Sequence, residues 1–334
     1  MPEITIAGSR ETFDCAADDT ILRAALRSGL GMSYSCNSGS CGNCRFELVD
    51  GMVEHLRADP PAWSERDRKR NRWLGCQARA LSECEIKVRL DPSYESDFRP
   101  VRMSGRFAGV SELTHDMREF AFTLSGPDGF RPGQYALLTL PGVDGPRAYS
   151  MCNLSGESVW RFQIKRAAGG AATGVLFEGL ADGDTIGIDG PYGTAYLRED
   201  RDRDLLLIAG GSGLSPMISI ARAAAASPSL ANRRIDLVYG CRTPDDVCGE
   251  AFLRELPGYG ERITYQAVIS EPAADESWEG PTGLAHEAVA ALHGERITDV
   301  EIYFAGPAAM AAALQKQLHD MGVERDRIHF DEFY

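Results

Sequence analysis

Cys36-Asn37-Ser38-Gly39-Ser40-Cys41-Gly42-Asn43-Cys44 sets three thiols at C-x4-C-x2-C spacing, and a fourth follows in Leu74-Gly75-Cys76-Gln77. This is the ligand pattern of a plant-type [2Fe–2S] cluster, in which one short loop offers three thiolates and a distant segment returns the fourth. Cys36, Cys41, Cys44 and Cys76 are therefore read as metal ligands. Gly39 and Gly42 fit that reading, because bridging sulfides need backbone N–H groups close by and glycine permits the approach. Zinc favours paired C-x2-C knuckles, and only one is present. A disulfide framework fares worse: the nine cysteines are odd in number, and Met1-Pro2-Glu3-Ile4-Thr5 lacks a secretory signal's basic and apolar regions. Cys15, Cys84, Cys152, Cys241 and Cys248 are read as buried small hydrophobes. The loop points to electron transfer.

Working outward, residues 3–7 and 11–15 read as a hairpin. Asp19-Thr20 offers an N-cap for Ile21-Leu22-Arg23-Ala24-Ala25-Leu26-Arg27, which Gly29 ends. Strands are expected at 45–49 and 85–90, completing a β-grasp-like module over 1–93. The charge run 65–72, just before Cys76, reads as a solvated helix face, with a docking patch as the less favoured reading. Asp91-Pro92-Ser93-Tyr94-Glu95-Ser96-Asp97 reads as a linker.

Beyond it the pattern becomes all-β. Strands are expected at 101–110, 117–124, 134–140, 158–164 and 185–188, with turn signals dense enough for a small antiparallel barrel over 99–200. Arg147-Ala148-Tyr149-Ser150 places a cation, an aromatic ring and a hydroxyl on extended chain. That suits a flavin: Arg147 for a diphosphate, Tyr149 over the isoalloxazine, Ser150 near N5. R-x-Y-S alone is equally an ordinary strand with one salt bridge. It gains weight from Gly169-Gly170-Ala171-Ala172-Thr173-Gly174, a small-residue loop opening into a helix whose amides could hold a phosphate.

From 203 to 334 strands alternate with helices. Apolar runs at 205–209, 235–239, 263–268 and 301–304, with helices at 217–226, 285–292 and 308–321, predict a doubly wound parallel sheet. Gly210-Gly211-Ser212-Gly213-Leu214-Ser215-Pro216 joins the first strand to its helix, where a dinucleotide's pyrophosphate would lie. After the second strand come Arg242, Asp245 and Asp246. One arginine beside two aspartates is a poor site for a 2′-phosphate, so NADH is expected over NADPH.

Length and charge bound the rest. A chain of 334 residues is long for one small module and carries a formal net charge of −14, which argues against nucleic acid and anionic lipid as partners. No run is long and apolar enough to span a bilayer. The expectation is a soluble, monomeric, cytoplasmic protein.

These residues together resemble the ferredoxin–NADP reductase superfamily fused to an N-terminal plant-type ferredoxin. The likeness is to reductase components of bacterial multicomponent oxygenases, especially the toluene and methane monooxygenase group. It implies FAD contacts at Arg147, Tyr149 and Ser150, with Lys165 and Gly170, Ala171, Ala172 and Thr173 nearby. It implies dinucleotide contacts at Gly210, Gly211, Gly213 and Pro216, and at Gly306 and Pro307 with Met310; Arg242, from the reading of the segment after the second strand, is counted with them as a cofactor contact. Ala305-Gly306-Pro307 departs from the Cys-Gly-Pro of many members. The end, Phe330-Asp331-Glu332-Phe333-Tyr334, resembles tails whose aromatic covers the flavin. Tyr334 is the first choice, Phe330 the second and a frayed acidic end the plain alternative. Ser150, Tyr149, Tyr334 and Glu332 are thus the expected catalytic residues.

Electron counting orders the cofactors. NADH gives two electrons and a [2Fe–2S] cluster accepts one, so FAD stands between them. Hydride transfer needs no general acid or base, and no histidine is assigned a role. The expected function is an NADH:acceptor oxidoreductase feeding a diiron hydroxylase or its ferredoxin. Other acceptors with this architecture are a Rieske dioxygenase or a deoxysugar-forming dehydratase; a redox sensor is the remaining alternative.

Overall fold

The computed structural model describes residues 1–272 and 278–333. The chain divides into two compact units: Met1–Arg102 with Asp189–Gly193, and the remainder. Among the described residues no helix is long and apolar enough to cross a membrane.

The first unit is built on a five-stranded mixed sheet. β1 (Glu3–Ile6) and β2 (Thr12–Asp14) form the expected hairpin. Helix α1 (Ile21–Arg27) follows, its first turn closed by Thr20, whose hydroxyl accepts from the Arg23 N–H. The cluster loop leads into β3 (Arg45–Asp50), then β4 (Val53–His55), α2 (Glu65–Lys69), β5 (Arg72–Leu74), β6 (Ala78–Ala80) and β7 (Cys84–Lys87). The sheet order is β2-β1-β7-β3-β5, with β4 and β6 as a separate ribbon. β1 and β7 run parallel, which puts the first and last strands side by side across α1. The charge run is helical only from Glu65 to Lys69. Asn71 then turns left-handed at φ 50°, and Arg72 enters β5 against β3.

The second unit opens with β8 (Val101–Thr114), β9 (Met117–Leu124), β10 (Tyr135–Thr139), β11 (Arg147–Ser150) and β12 (Val159–Lys165). Helix α3 (Ala171–Gly174) and β13 (Thr185–Tyr192) complete this part, with Val101–Arg102 of β8 and Asp189–Tyr192 of β13 falling in the first unit. The six strands lie in the order β11-β10-β13-β8-β9-β12. The two end strands meet at a single bridge, Met151 against Phe162, beside a 2.9 Å bond from the Cys152 N–H to the Arg161 carbonyl. Phe120, Phe122, Trp160 and Phe162 fill the interior.

The α/β part runs β14 (Leu205–Gly210), α4 (Leu214–Ala226), β15 (Ile235–Cys241), α5 (Glu250–Arg254), β16 (Ile263–Ile269), α6 (Ala285–His293), β17 (Glu301–Pro307), α7 (Ala308–Asp320) and β18 (Ile328–Phe333). All five strands are parallel, in the order β16-β15-β14-β17-β18. The sheet is covered on both faces, so β14 is buried throughout. Leu205, Leu207 and Ala209 face the α4 side, while Leu206 and Ile208 face α6 and α7. Sequence reading missed β18. The acidic end is an edge strand in register with β17, from Ile302 opposite Ile328 to Pro307 opposite Phe333.

Candidate functional site

The cluster loop is held from below by a buried cation. Arg23 stands on the buried side of α1, 6% exposed; its Nε donates to Asn37 Oδ1 at 3.2 Å and its Nη2 to the Asn37 carbonyl at 3.3 Å. Asn37 is left-handed at φ 52°, which turns the chain directly after Cys36. The sequence reading of this helix, from its caps alone, gave Arg23 no role. The available signal was an arginine in the middle of the helix, flanked on both sides by apolar residues.

The thiols pair within hydrogen-bonding reach. The Ser38 and Cys41 N–H groups donate to Cys36 Sγ at 3.5 and 3.3 Å, the Asn43 N–H to Cys41 Sγ at 3.5 Å, and the Cys76 N–H to Cys44 Sγ at 3.5 Å. A hydrogen bond from the Cys41 thiol, against the cost of burial, draws Cys36 down to about 5. A bond from Cys76 lowers Cys44 in the same way. Four converging sulfurs with backbone N–H donors aimed at three of them fit a thiolate-ligated cluster. Gly42 sits at φ 78° with the Arg45 guanidinium beneath it, where an added Cβ would meet Nη1 at 2.2 Å.

In the second unit, Arg147 and Tyr149 share one face of β11 and Ser150 takes the other. Arg147 is exposed, and its Nη1 donates to the carbonyls of Asp144, Gly145 and Pro146 at 3.0, 3.1 and 3.2 Å. Tyr149 packs against the barrel interior, and burial pushes its hydroxyl up to about 12. Ser150 is buried, and the Ser215 hydroxyl donates to its carbonyl at 2.7 Å. Gly170 stands at the N-cap of α3 with no side chain over the helix end. A Cβ there would lie 2.7 Å from Thr173 Oγ1, which accepts from the Ala167 N–H at 3.2 Å. Thr173 thus fastens its own turn, and Ala172 is buried while Ala171 is exposed. The cation, ring and open helix end are the groups a flavin nucleotide requires.

The dinucleotide expectation falls on a cavity of about 350 Å³ at the C-terminal ends of the parallel strands. Gly210 and Gly211, Gly240 and Cys241, Ser270, and Pro307 with Met310 line it. That is the crevice where the strand order reverses, between β14 and β17. The glycines of the turn have separate tasks. Gly211 is left-handed at φ 54°, and a Cβ on Gly210 would lie 2.7 Å from Met310 Sδ. A Cβ on Gly213 would stand 1.9 Å from the Ala305 carbonyl oxygen, so this glycine is required by β17. Gly306 follows Ala305 at the same contact, and Pro216 lies in the first turn of α4.

Lys165, expected beside the flavin, stands in the wall of this cavity. Its ammonium is 2.8 Å from both Asp116 Oδ1 and Asp246 Oδ1. Burial would raise Asp246, but the Lys165 hydrogen bond prevails and holds it below the usual carboxylate range. Arg242 reaches Asp246 at 3.7 Å and Asp116 at 3.9 Å. Asp246 also caps its own turn, accepting from the Thr243 N–H at 3.2 Å. Asp116, from the β8–β9 turn, carried no sequence signal. Asp245 is exposed and does not line the cavity.

At the chain's end, Phe330 stacks on Phe304 with centroids 4.9 Å apart and planes 7° from parallel. That ring is partly buried and packs on the α6–α7 face of the sheet. Glu332 lies opposite Gly306 and accepts from Gln315 Nε2 at 2.8 Å. Tyr334 lies outside the described residues.

Three family profiles match in succession: a 2Fe-2S iron-sulfur cluster binding domain over residues 4–81, an oxidoreductase FAD-binding domain over 105–196 and an oxidoreductase NAD-binding domain over 207–316. The chain is 39% identical to ferredoxin–NAD(P)(+) reductase CarAd of Metapseudomonas resinovorans, covering 96% of each. It is 38% identical to the ferredoxin–NAD(+) reductase component of the alkene monooxygenase system of Xanthobacter autotrophicus, covering 96% of this chain and 98% of that one. A solved ferredoxin reductase in carbazole 1,9a-dioxygenase superposes with a TM-score of 0.92 at 35% identity, covering 100% of this chain and 98% of its own. The cytochrome P450 reductase GcoB of Amycolatopsis gives 0.84 at 30%, covering 100% and 99%. The cofactors are a [2Fe–2S] cluster, FAD and NADH, and the chain belongs to the ferredoxin–NAD(P)+ reductase family, as an oxidoreductase whose iron–sulfur, flavin and dinucleotide domains follow one another in a single polypeptide.

Proposed function

We propose that this chain is the NADH-dependent reductase component of a multicomponent monooxygenase, with a diiron hydroxylase or its ferredoxin as electron acceptor. The observation that carries the reading is the end-to-end likeness to the alkene monooxygenase reductase component. In this assignment residues 1–93, 99–200 and 203–334 are the three domains. Cys36, Cys41, Cys44 and Cys76 ligate the cluster. Arg147, Tyr149, Ser150 and the 170–173 turn receive FAD. Gly210, Gly211, Arg242, Pro307 and Met310 receive NADH. The bound groups supply two-electron acceptance from NADH and one-electron release; the polypeptide supplies alignment and exclusion of water.

A dioxygenase partner is the second reading, supported by the 0.92 superposition on the carbazole dioxygenase reductase. Reconstitution separates the two. The purified protein, NADH and a diiron hydroxylase should give substrate-dependent oxygen uptake matched by product. Product formation with a ring dioxygenase and none with any diiron hydroxylase would replace the first reading by the second.

A further inference from the structure

Charge in the first unit is unevenly placed. Residues 57–79 hold seven Lys/Arg against three Asp/Glu, while the rest of residues 1–98 hold six against thirteen. A local excess of four positive charges therefore sits in a chain of net charge −14. The structure ties this segment to the cluster loop. Arg45 donates from Nη1 to the Gly42 carbonyl at 2.7 Å, and its Nε lies 3.1 Å from Asp67 Oδ2 on α2. The Ala62 N–H donates to the Gly39 carbonyl at 3.1 Å. Trp63 packs edge-on to His55 and beside Trp73, at centroid distances of 4.4 and 5.2 Å, which fixes the approach to the helix.

α2 turns its one buried side chain, Asp67, inward. Outward it shows Arg66 and Lys69, with Arg70 one step on, spaced i, i+3 and i+4 and so on one face. All three are exposed, and among the described residues no carboxylate pairs with them. Arg68 differs: it is paired with Asp59 at 2.6 Å and lies over the Trp63 ring. Glu65 is the helix's only exposed acid. Three unpaired cations beside the ligand loop of an otherwise acidic protein create a local field that selects a partner by charge.

We propose that the outward face of α2, with Arg66, Lys69 and Arg70, is the docking surface for an acidic protein electron acceptor. Short-lived electron-transfer complexes use small contacts, in which charge sets the encounter rate. The inference rests on the reading of the thiol-bearing unit as the exit for electrons.

The test uses the full-length holoprotein and two protein acceptors of opposite charge: an acidic plant-type ferredoxin and the cationic cytochrome c. In R66E/K69E/R70E at low ionic strength, the second-order rate with the acidic ferredoxin should fall by about tenfold or more, within the range of steered association. The rate with cytochrome c should rise, and both differences should shrink with salt as the Debye length shortens. The neutral R66Q/K69Q/R70Q should fall between. NADH turnover with a neutral quinone and the visible spectrum should not change, which checks folding. If both protein acceptors respond alike, or neither responds, the docking assignment is wrong. Cys41→Ser separates that failure from failure of the exit reading. If it leaves cytochrome c reduction untouched, electrons do not leave through the cluster at all.

Discussion

Asp246 shows how much one side chain's setting alters its meaning. In the sequence it is half of an acidic pair repelling a 2′-phosphate. In the fold it is buried, neutralised by Lys165 and shared with Arg242, while Asp245 faces solvent away from the cavity. Removing its charge leaves two cations in the cavity wall facing Asp116 alone. Asp246→Asn should therefore narrow the preference for NADH over NADPH by about tenfold in the kcat/KM ratio, near 1.4 kcal/mol, the size of one partly screened charge contact. The measurement is initial-rate kinetics with both nucleotides. An unchanged ratio would place the 2′-hydroxyl elsewhere. Asn retains an oxygen for the Thr243 N–H, so the turn should hold. Gly213 gives the same lesson in reverse. Its motif reads as room for a ligand, whereas its hydrogen lies against the Ala305 carbonyl.

Helix α4 belongs to two sites at once. Ser215 Oγ donates to the Ser150 carbonyl at 2.7 Å and accepts from the Gln163 N–H at 3.1 Å. Farther along, Ser219 Oγ donates to the Asn153 carbonyl at 2.8 Å and Arg222 Nη1 to the Cys152 carbonyl at 2.9 Å. The helix that follows the glycine turn is thereby fastened to the strand carrying Tyr149 and Ser150. Ser215→Ala leaves a buried carbonyl and a buried N–H unpaired, a cost of about 1–3 kcal/mol. Flavin reduction by NADH should slow several-fold in stopped flow while flavin content stays at one per chain. A wild-type rate would show that alignment does not depend on this contact. None of this was legible beforehand, because Ser215 and Ser219 look like neutral helix residues until the partner strand is in place. Long periodic elements were legible: α1 was expected at 21–27 and is Ile21–Arg27, and β9 was expected at 117–124 and is Met117–Leu124. The ribbon β4–β6 and the strand β18 were not, since three-residue strands carry no period and Ile328-His329-Phe330-Asp331-Glu332-Phe333 reads as a charged end. Only its parallel partner β17 makes it a strand.

For the whole molecule the remaining question is whether the two units work in series. The dinucleotide cavity and β11 lie in one unit, and the four thiols lie in the other. Serial order predicts a cross-pattern between variants. Cys41→Ser removes one of the four sulfurs, and the iron should be lost or weakly held. That variant should still bleach its flavin with NADH and still reduce ferricyanide, which accepts electrons from the flavin. Its reduction of cytochrome c should collapse. Ser150→Ala should do the opposite, slowing every NADH-dependent reaction while the cluster's visible absorbance persists. The two variants perturb separate units, so their effects on ferricyanide reduction should not interact when combined. Should Cys41→Ser slow ferricyanide reduction as much as cytochrome c reduction, the series is wrong. The thiol-bearing unit would then be acting on flavin reduction itself rather than as the exit for electrons.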